Sequence, residues 1–153
     1  HPGEYGFGDV AYDRTSFGNL RDGAKEYVGT QAALWGLTAG VYLATMGPAG
    51  MEEVGQTCMQ NARYAVQKLN EINGIKANSL GGHYFKEFVV DFSATGKTVA
   101  EIHKILLSEG IFGGKDISGE FPRLGQSALY CVTEIHTQRD IDRLVNVLAR
   151  VLA

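Results

Sequence analysis

At 153 residues, 44% of them hydrophobic and 20% charged, the chain has the make-up of one ordinary globular domain and not of a disordered segment. A formal net charge of −3 without a polybasic run argues against nucleic acid and anionic membrane surfaces as partners. Cys58 and Cys131 stand far apart with neither a CxxC nor a neighbouring His pair, so no zinc site or disulfide framework is indicated, and a reduced, cytoplasmic setting fits.

Residues 1 to about 30 are Gly-rich and irregular, with a short strand expected around Asp9 to Arg14. The opening stretch from His1 has no signal-peptide pattern and reads as the interior of a longer polypeptide. Val28-Gly29-Thr30-Gln31 then leads into an almost wholly apolar run from Ala32 to Met46. At about 1.5 Å per residue, this run as a helix falls short of a hydrocarbon core about 30 Å thick. A helix apolar all round has to be buried all round, which in a chain this small asks for cover from another subunit or a further domain. The Gly-Thr turn at its start supports two readings: Thr30 as an N-cap, or backbone N–H groups, hydroxyl and dipole presented to an anion such as phosphate.

Gly47-Pro48-Ala49-Gly50 closes that helix. A second helix is expected from Met51, Val54, Cys58, Ala62, Ala65, Leu69 and Ile72, which recur at steps of three and four, with Asn73-Gly74 as its C-cap. Tyr84 to Phe92, rich in aromatic and β-branched residues, predicts a strand. Thr98 and Glu101 form a capping box for a helix with Val99, Ile102, Ile105 and Leu106 inward, ended by Gly110. Ile111 to Gly114 is a short strand or a turn, and Ser127 to Thr133 a strand. Thr137 and Asp140 start a last helix with Ile141, Leu144, Val145, Leu148 and Val151 inward. Strands and helices on one sheet face make a small α+β unit, expected over 74–153, with 1–73 forming the end of a larger domain and its interface helices.

Motifs that carry a mechanism are absent: the sequence has no P-loop, no GxGxxG with a following acidic residue, no HExxH and no GxSxG. His103-Lys104 has the form of a cofactor-lysine dipeptide, but the pair falls on the polar side of its helix and reads as a solvated face. His83 and His136 are loop histidines that either act as general bases or are structural, and Gly113-Gly114 reads as a turn that a ligand can approach closely.

Four stretches together resemble the P-protein family of glycine dehydrogenase (decarboxylating), in particular its first, non-lysine-bearing subunit. They are Arg21-Asp22 to Gln31, Val41-Tyr42-Leu43 to Met51, Phe85-Lys86-Glu87-Phe88-Val89-Val90, and Leu129-Tyr130-Cys131-Val132-Thr133-Glu134 on to Asp142-Arg143-Leu144. The resemblance runs through nearly all of this chain and about the last third of the family protein. It implies a fold class combining α/β and α+β parts, the C-terminal part of a fold type I pyridoxal-phosphate (PLP) transferase-like scaffold ending in a small α+β domain.

In such families the active site lies at a subunit interface, and the resemblance gives Thr30 contact with the phosphate of PLP held mainly by the partner, with Gly29 and Gln31 beside it. The usual family pattern here is Asn-Ile-Cys-Thr-Asn-Gln, against Tyr27-Val28-Gly29-Thr30-Gln31-Ala32, so the threonine matches and its neighbours differ. The implied reaction is decarboxylation of glycine on PLP with transfer of the aminomethyl group to the lipoyl H-protein, the Schiff-base lysine coming from a lysine-bearing partner subunit and this chain alone being inert. Two other readings stay open: the C-terminal part of another fold type I enzyme such as a cysteine desulfurase, and a cofactor-free α+β interaction domain.

Overall fold

The computed structural model describes residues 33–152, and the chain divides at Gly47 into two units, His1–Gly47 and Pro48–Ala153. A helical run, α1 (Ala33–Leu69), crosses that point and is interrupted there: Gly47 has φ 61° and ψ −177°, a conformation that costs an L-residue dearly and glycine little. Pro48 follows, with no N–H to continue the first segment and a φ already suited to starting the second. The break expected at Gly47-Pro48 is therefore present.

In the first unit, Thr38 and Thr45 return their hydroxyls to the carbonyls of Leu34 and Val41, which occupies polar groups on an otherwise apolar helix. The sequence expects this helix to need cover from another subunit or a further domain, and in this chain by itself Trp35 is 74% exposed and Leu37 70%, with Leu34, Val41 and Leu43 exposed as well. Among the described residues no helix is long and apolar enough to cross a membrane.

In the second unit, elements follow as β1 (Lys76–Ala77), β2 (Glu87–Asp91), a 3-10 turn at Ser93–Thr95, α2 (Val99–Ser108), β3 (Lys115–Asp116), a 3-10 turn at Pro122–Leu124, β4 (Ser127–Cys131) and α3 (Gln138–Leu152). All pairings are antiparallel, in the order β1-β2-β4-β3, with Phe88 opposite Tyr130 and Val90 opposite Ala128. Because successive side chains alternate across a strand, Phe88, Val90, Phe92, Ala128, Tyr130 and Val132 share one face. That face forms one core with Ala62, Ala65 and Leu69 of α1, Val99, Ile102 and Leu106 of α2, and Ile141, Val147 and Leu148 of α3. Phe92, Leu69, Ile102, Leu106 and Leu148 are fully buried, each worth about 1.5–3 kcal/mol of transfer free energy.

Several boundaries differ from those expected. α1 ends at Leu69, four residues before Asn73, and Asn70 then clasps Ala77, accepting from its N–H at 2.8 Å and donating to its carbonyl at 3.3 Å. The strand expected from Tyr84 begins only at Glu87, where pairing with β4 starts. Ile111 to Gly114 is an irregular connection that follows a turn at Glu109-Gly110, and the strand begins at Lys115. β4 stops at Cys131, and β1 has no counterpart in the sequence reading.

Both capping boxes form. Thr98 N–H donates to Glu101 at 2.8 Å while Glu101 N–H donates to the Thr98 hydroxyl at 3.2 Å, and Thr137 and Asp140 repeat the exchange at 2.9 and 3.2 Å. The Thr98 backbone N–H and then its hydroxyl hold Glu101 below the usual carboxylate range; the Thr137 hydroxyl and then its N–H do so for Asp140. A depressed folded-state value means the stabilisation is complete above the usual range and is lost as pH falls through the lower folded value. Urea unfolding midpoints are expected to decline below about pH 4, with a shallower decline in a Glu101→Gln/Asp140→Asn double variant. An identical acid limb in the two proteins would show that the boxes contribute nothing.

Candidate functional site

The residues to which the resemblance assigns the cofactor phosphate, Gly29, Thr30 and Gln31, lie outside the described residues, as do Arg21, Asp22, Lys25 and the strand expected from Asp9 to Arg14. A Schiff-base lysine needs a desolvated setting, and none of Lys68, Lys76, Lys86, Lys97, Lys104 and Lys115 is buried. Lys68 pairs with Glu71 at 3.0 Å and Lys115 with Glu120 at 2.6 Å. No cluster of metal-ligating side chains occurs among the described residues.

His103-Lys104 separates into two environments. Lys104 is exposed, as the helix pattern predicts. His103 is half-buried, with Nε2 at 2.7 Å from the Gly113 carbonyl, which corrects its placement on a solvated face. The reason is close packing: a Cβ on Gly113 would stand 2.6 Å from Leu106 and 2.7 Å from His103, so the missing side chain is what lets the connection after α2 close over the imidazole.

His136 is a structural histidine in the β4–α3 connection. Its Nδ1 accepts from the Thr133 N–H at 3.0 Å, which places the proton of the neutral ring on Nε2. That connection is bound to α1 by a polar seam that the sequence reading missed. Cys58, Asn61 and Tyr64, three residues apart along one side of the helix, reach Glu134, the Thr133 and His136 carbonyls, and Asp142 respectively. Asn61 Nδ2 donates to both carbonyls, at 3.1 and 2.8 Å, and the Tyr64 hydroxyl donates to Asp142 at 2.6 Å. Burial, and then its hydrogen bond to Glu134, pushes the Cys58 thiol up, while the thiol donor lowers Glu134. Cys58 is thus a buried, protonated donor and not a nucleophile. Asn61 and Tyr64 beside an apolar stripe were the only sequence trace of this seam.

Two of the concavities among the described residues adjoin His83 and His136. An open one of about 380 Å³ lies between α1 and the loop before β2, lined by Gln56, Met59, Gln60, Arg63 and His83. His83 is exposed there. A more enclosed one of about 260 Å³ lies between the loop after α2, the end of β4 and the start of α3. Tyr130 lines it, and the Tyr130 hydroxyl is the one buried side-chain polar atom among the described residues without a partner.

No family model matches the chain. Curated relatives do. Probable glycine dehydrogenase (decarboxylating) subunit 1 of Staphylothermus marinus is 38% identical over 123 residues, 80% of this chain and 26% of that protein. The proteins of the same name from Geobacillus kaustophilus and Moorella thermoacetica are 36% and 35% identical, over 84% and 87% of this chain and 28% and 29% of theirs. The chain therefore spans between a quarter and a third of the length of these relatives. Among solved structures, glycine decarboxylase (P-protein) of the glycine cleavage system, in inhibitor-bound form, superposes with a TM-score of 0.70 at 26% identity, covering 86% of this chain and 29% of that one. A NifS-like protein superposes at 0.59 and 15% identity, over 86% of this chain and 36% of its own, a likeness of fold alone. Over about four fifths of its length the chain is similar in sequence to part of glycine dehydrogenase (decarboxylating) subunit 1, and it shares the fold of the corresponding part of the fold type I scaffold.

Proposed function

We propose that this chain is the C-terminal part of the non-lysine-bearing subunit of a glycine decarboxylase, and that it serves the decarboxylation of glycine on PLP by completing a site that a lysine-bearing partner subunit holds. The observation that carries the reading is the combination of 38% identity to a subunit 1 protein and a TM-score of 0.70 to glycine decarboxylase along almost the same extent of chain. The weaker likeness to the NifS-like protein supports the scaffold without favouring desulfurase chemistry. PLP supplies the electron sink, and the protein supplies orientation and electrostatics. In this reading Thr30, with Gly29 and Gln31, contributes a hydroxyl and backbone donors to the cofactor phosphate, the lipoyl H-protein receives the aminomethyl group, and this chain alone is inactive.

The test is glycine–bicarbonate exchange after mixing the chain, or its parent subunit, with the lysine-bearing subunit and PLP. Exchange is expected from the mixture and not from this chain alone. Thr30→Ala is expected to weaken PLP binding in the complex by about 2 kcal/mol, the value of one charge-assisted hydrogen bond, most of it appearing as a higher PLP requirement. Unchanged cofactor affinity would remove Thr30 from the phosphate site.

A further inference from the structure

The connection from α1 to β1 carries the chain's one Asn-Gly pair, Asn73-Gly74. Asn73 is exposed, and neither its side chain nor the Gly74 N–H has a hydrogen-bond partner among the described residues. One backbone bond spans the pair, from the Ile75 N–H to the Ile72 carbonyl at 3.2 Å, and an exposed turn held by one such bond opens locally at low free-energy cost. Gly74, at φ 85°, has no Cβ to shield its nitrogen and reaches both signs of φ, so the nitrogen can swing toward the preceding side chain. At every other described asparagine the N–H that follows is committed. Asn61 and Asn146 stand inside helices, where that N–H belongs to the helical ladder. After Asn70 the Glu71 N–H donates to the Lys68 carbonyl at 3.2 Å, and after Asn78 the Ser79 N–H donates to the Val89 carbonyl at 3.1 Å. The side chains of Asn70 and Asn78 are engaged as well, on Ala77 and on the Gly82 carbonyl.

We propose that Asn73 is a site of intramolecular modification. The Gly74 nitrogen forms a bond to Asn73 Cγ, the Cγ–Nδ2 bond breaks and ammonia leaves with the Gly74 proton, which gives a five-membered succinimide. Water then opens the ring at either carbonyl and leaves aspartate or isoaspartate at this position. The isoaspartate product routes the backbone through the former side chain and lengthens it by one methylene. That length has little room, because a Cβ on Gly74 would already stand 3.2 Å from Thr95 and 3.3 Å from the Ala94 carbonyl, and Ile75 and Ala77 just beyond are buried. The modified turn therefore strains β1, which is held only through Lys76 opposite Asp91 and Ala77 opposite Val90. Either product also places a new negative charge beside the C-terminal end of α1, where the helix dipole is itself negative.

The full chain is incubated at mildly alkaline pH, folded and in parallel in urea, then digested with trypsin, and the peptide Leu69–Lys76 is followed by mass spectrometry. In the folded chain this peptide is expected to gain the mass that separates an acid from an amide, at Asn73 and not at Asn70, to resolve into two products, and to take up methyl groups from an isoaspartyl methyltransferase. Asn73→Gln, whose side chain is too long to close the five-membered ring, is expected to lose both signals. Hydrogen exchange at the Ala77 amide is expected to be faster in the modified chain than in Asn73→Asp, which adds the charge and keeps the backbone length. Conversion of Asn70, Asn78 or Asn146 as readily as Asn73, conversion in urea with none in the folded chain, or equal Ala77 exchange in the modified chain and in Asn73→Asp would overturn the proposal.

Discussion

Gly114→Ala is expected to destabilise the chain by about 3–4 kcal/mol, the sum of a strained backbone and an overpacked contact. Gly114 has φ 81°, in the region open to glycine at little cost. A Cβ built there meets the Leu129 carbonyl oxygen and comes within 3.0 Å of the Tyr130 ring. Backbone cannot step aside as a flexible side chain can, because Leu129 is held in register opposite Lys115. The substitution has to displace β3, tilt the aromatic ring or both. Gly119→Ala is the matched control, since its Cβ would meet nothing within 4 Å and its φ is unremarkable; it should move stability by less than about 0.5 kcal/mol. Chemical denaturation of the two variants decides the matter, and a loss below about 1 kcal/mol at Gly114 would mean that the close approach is relieved more easily than its geometry implies.

Asn61→Asp is the second large effect, about 3 kcal/mol. Asparagine works at this position because one amide group donates twice, to the Thr133 and His136 carbonyls. A carboxylate of the same shape has no donor, so it loses both bonds and sets an anion against two carbonyl oxygens in a half-buried seam. The neighbouring Gln60→Glu introduces the same charge on an exposed position of the same helix and should be close to neutral. The sign of the electrostatic part has its own check: the destabilisation at position 61 should shrink in acid, where the introduced carboxyl is protonated and recovers a donor. A difference that stays constant down to pH 3 would assign the loss to packing.

These two residues also show what was legible in the sequence and what was not. The capping boxes at Thr98 and Thr137 were readable because both halves of each exchange lie within four residues. The inward positions of α2 and α3 were readable because helical periodicity is local too, and Ile102, Leu106 and Leu148 are indeed buried. Asn61 gave no such signal, since its partners lie 72 and 75 residues further on. His103 was misread for the same reason: its environment is made by a connection ten residues away that glycine alone lets close. The two-residue strands β1 and β3 exist only because β2 and β4 offer them backbone partners, and nothing in Lys-Ala or Lys-Asp favours a strand. The phosphate contact at Thr30 rests on resemblance alone, for a Gly-Thr turn before an apolar helix fits a cap as well as a phosphate contact.

The order β1-β2-β4-β3 has one more consequence. A sheet ends where its outermost strands end, and here those strands are two residues long, each beginning with an exposed lysine. Such short, charged margins give an incoming chain almost no ladder of free N–H and C=O groups to extend. The long, β-prone strands are kept interior, with Glu87–Asp91 and Ser127–Cys131 paired to each other. The ends of the sheet, among the described residues, are therefore protected against runaway strand addition and aggregation by two short lysine-bearing dipeptides.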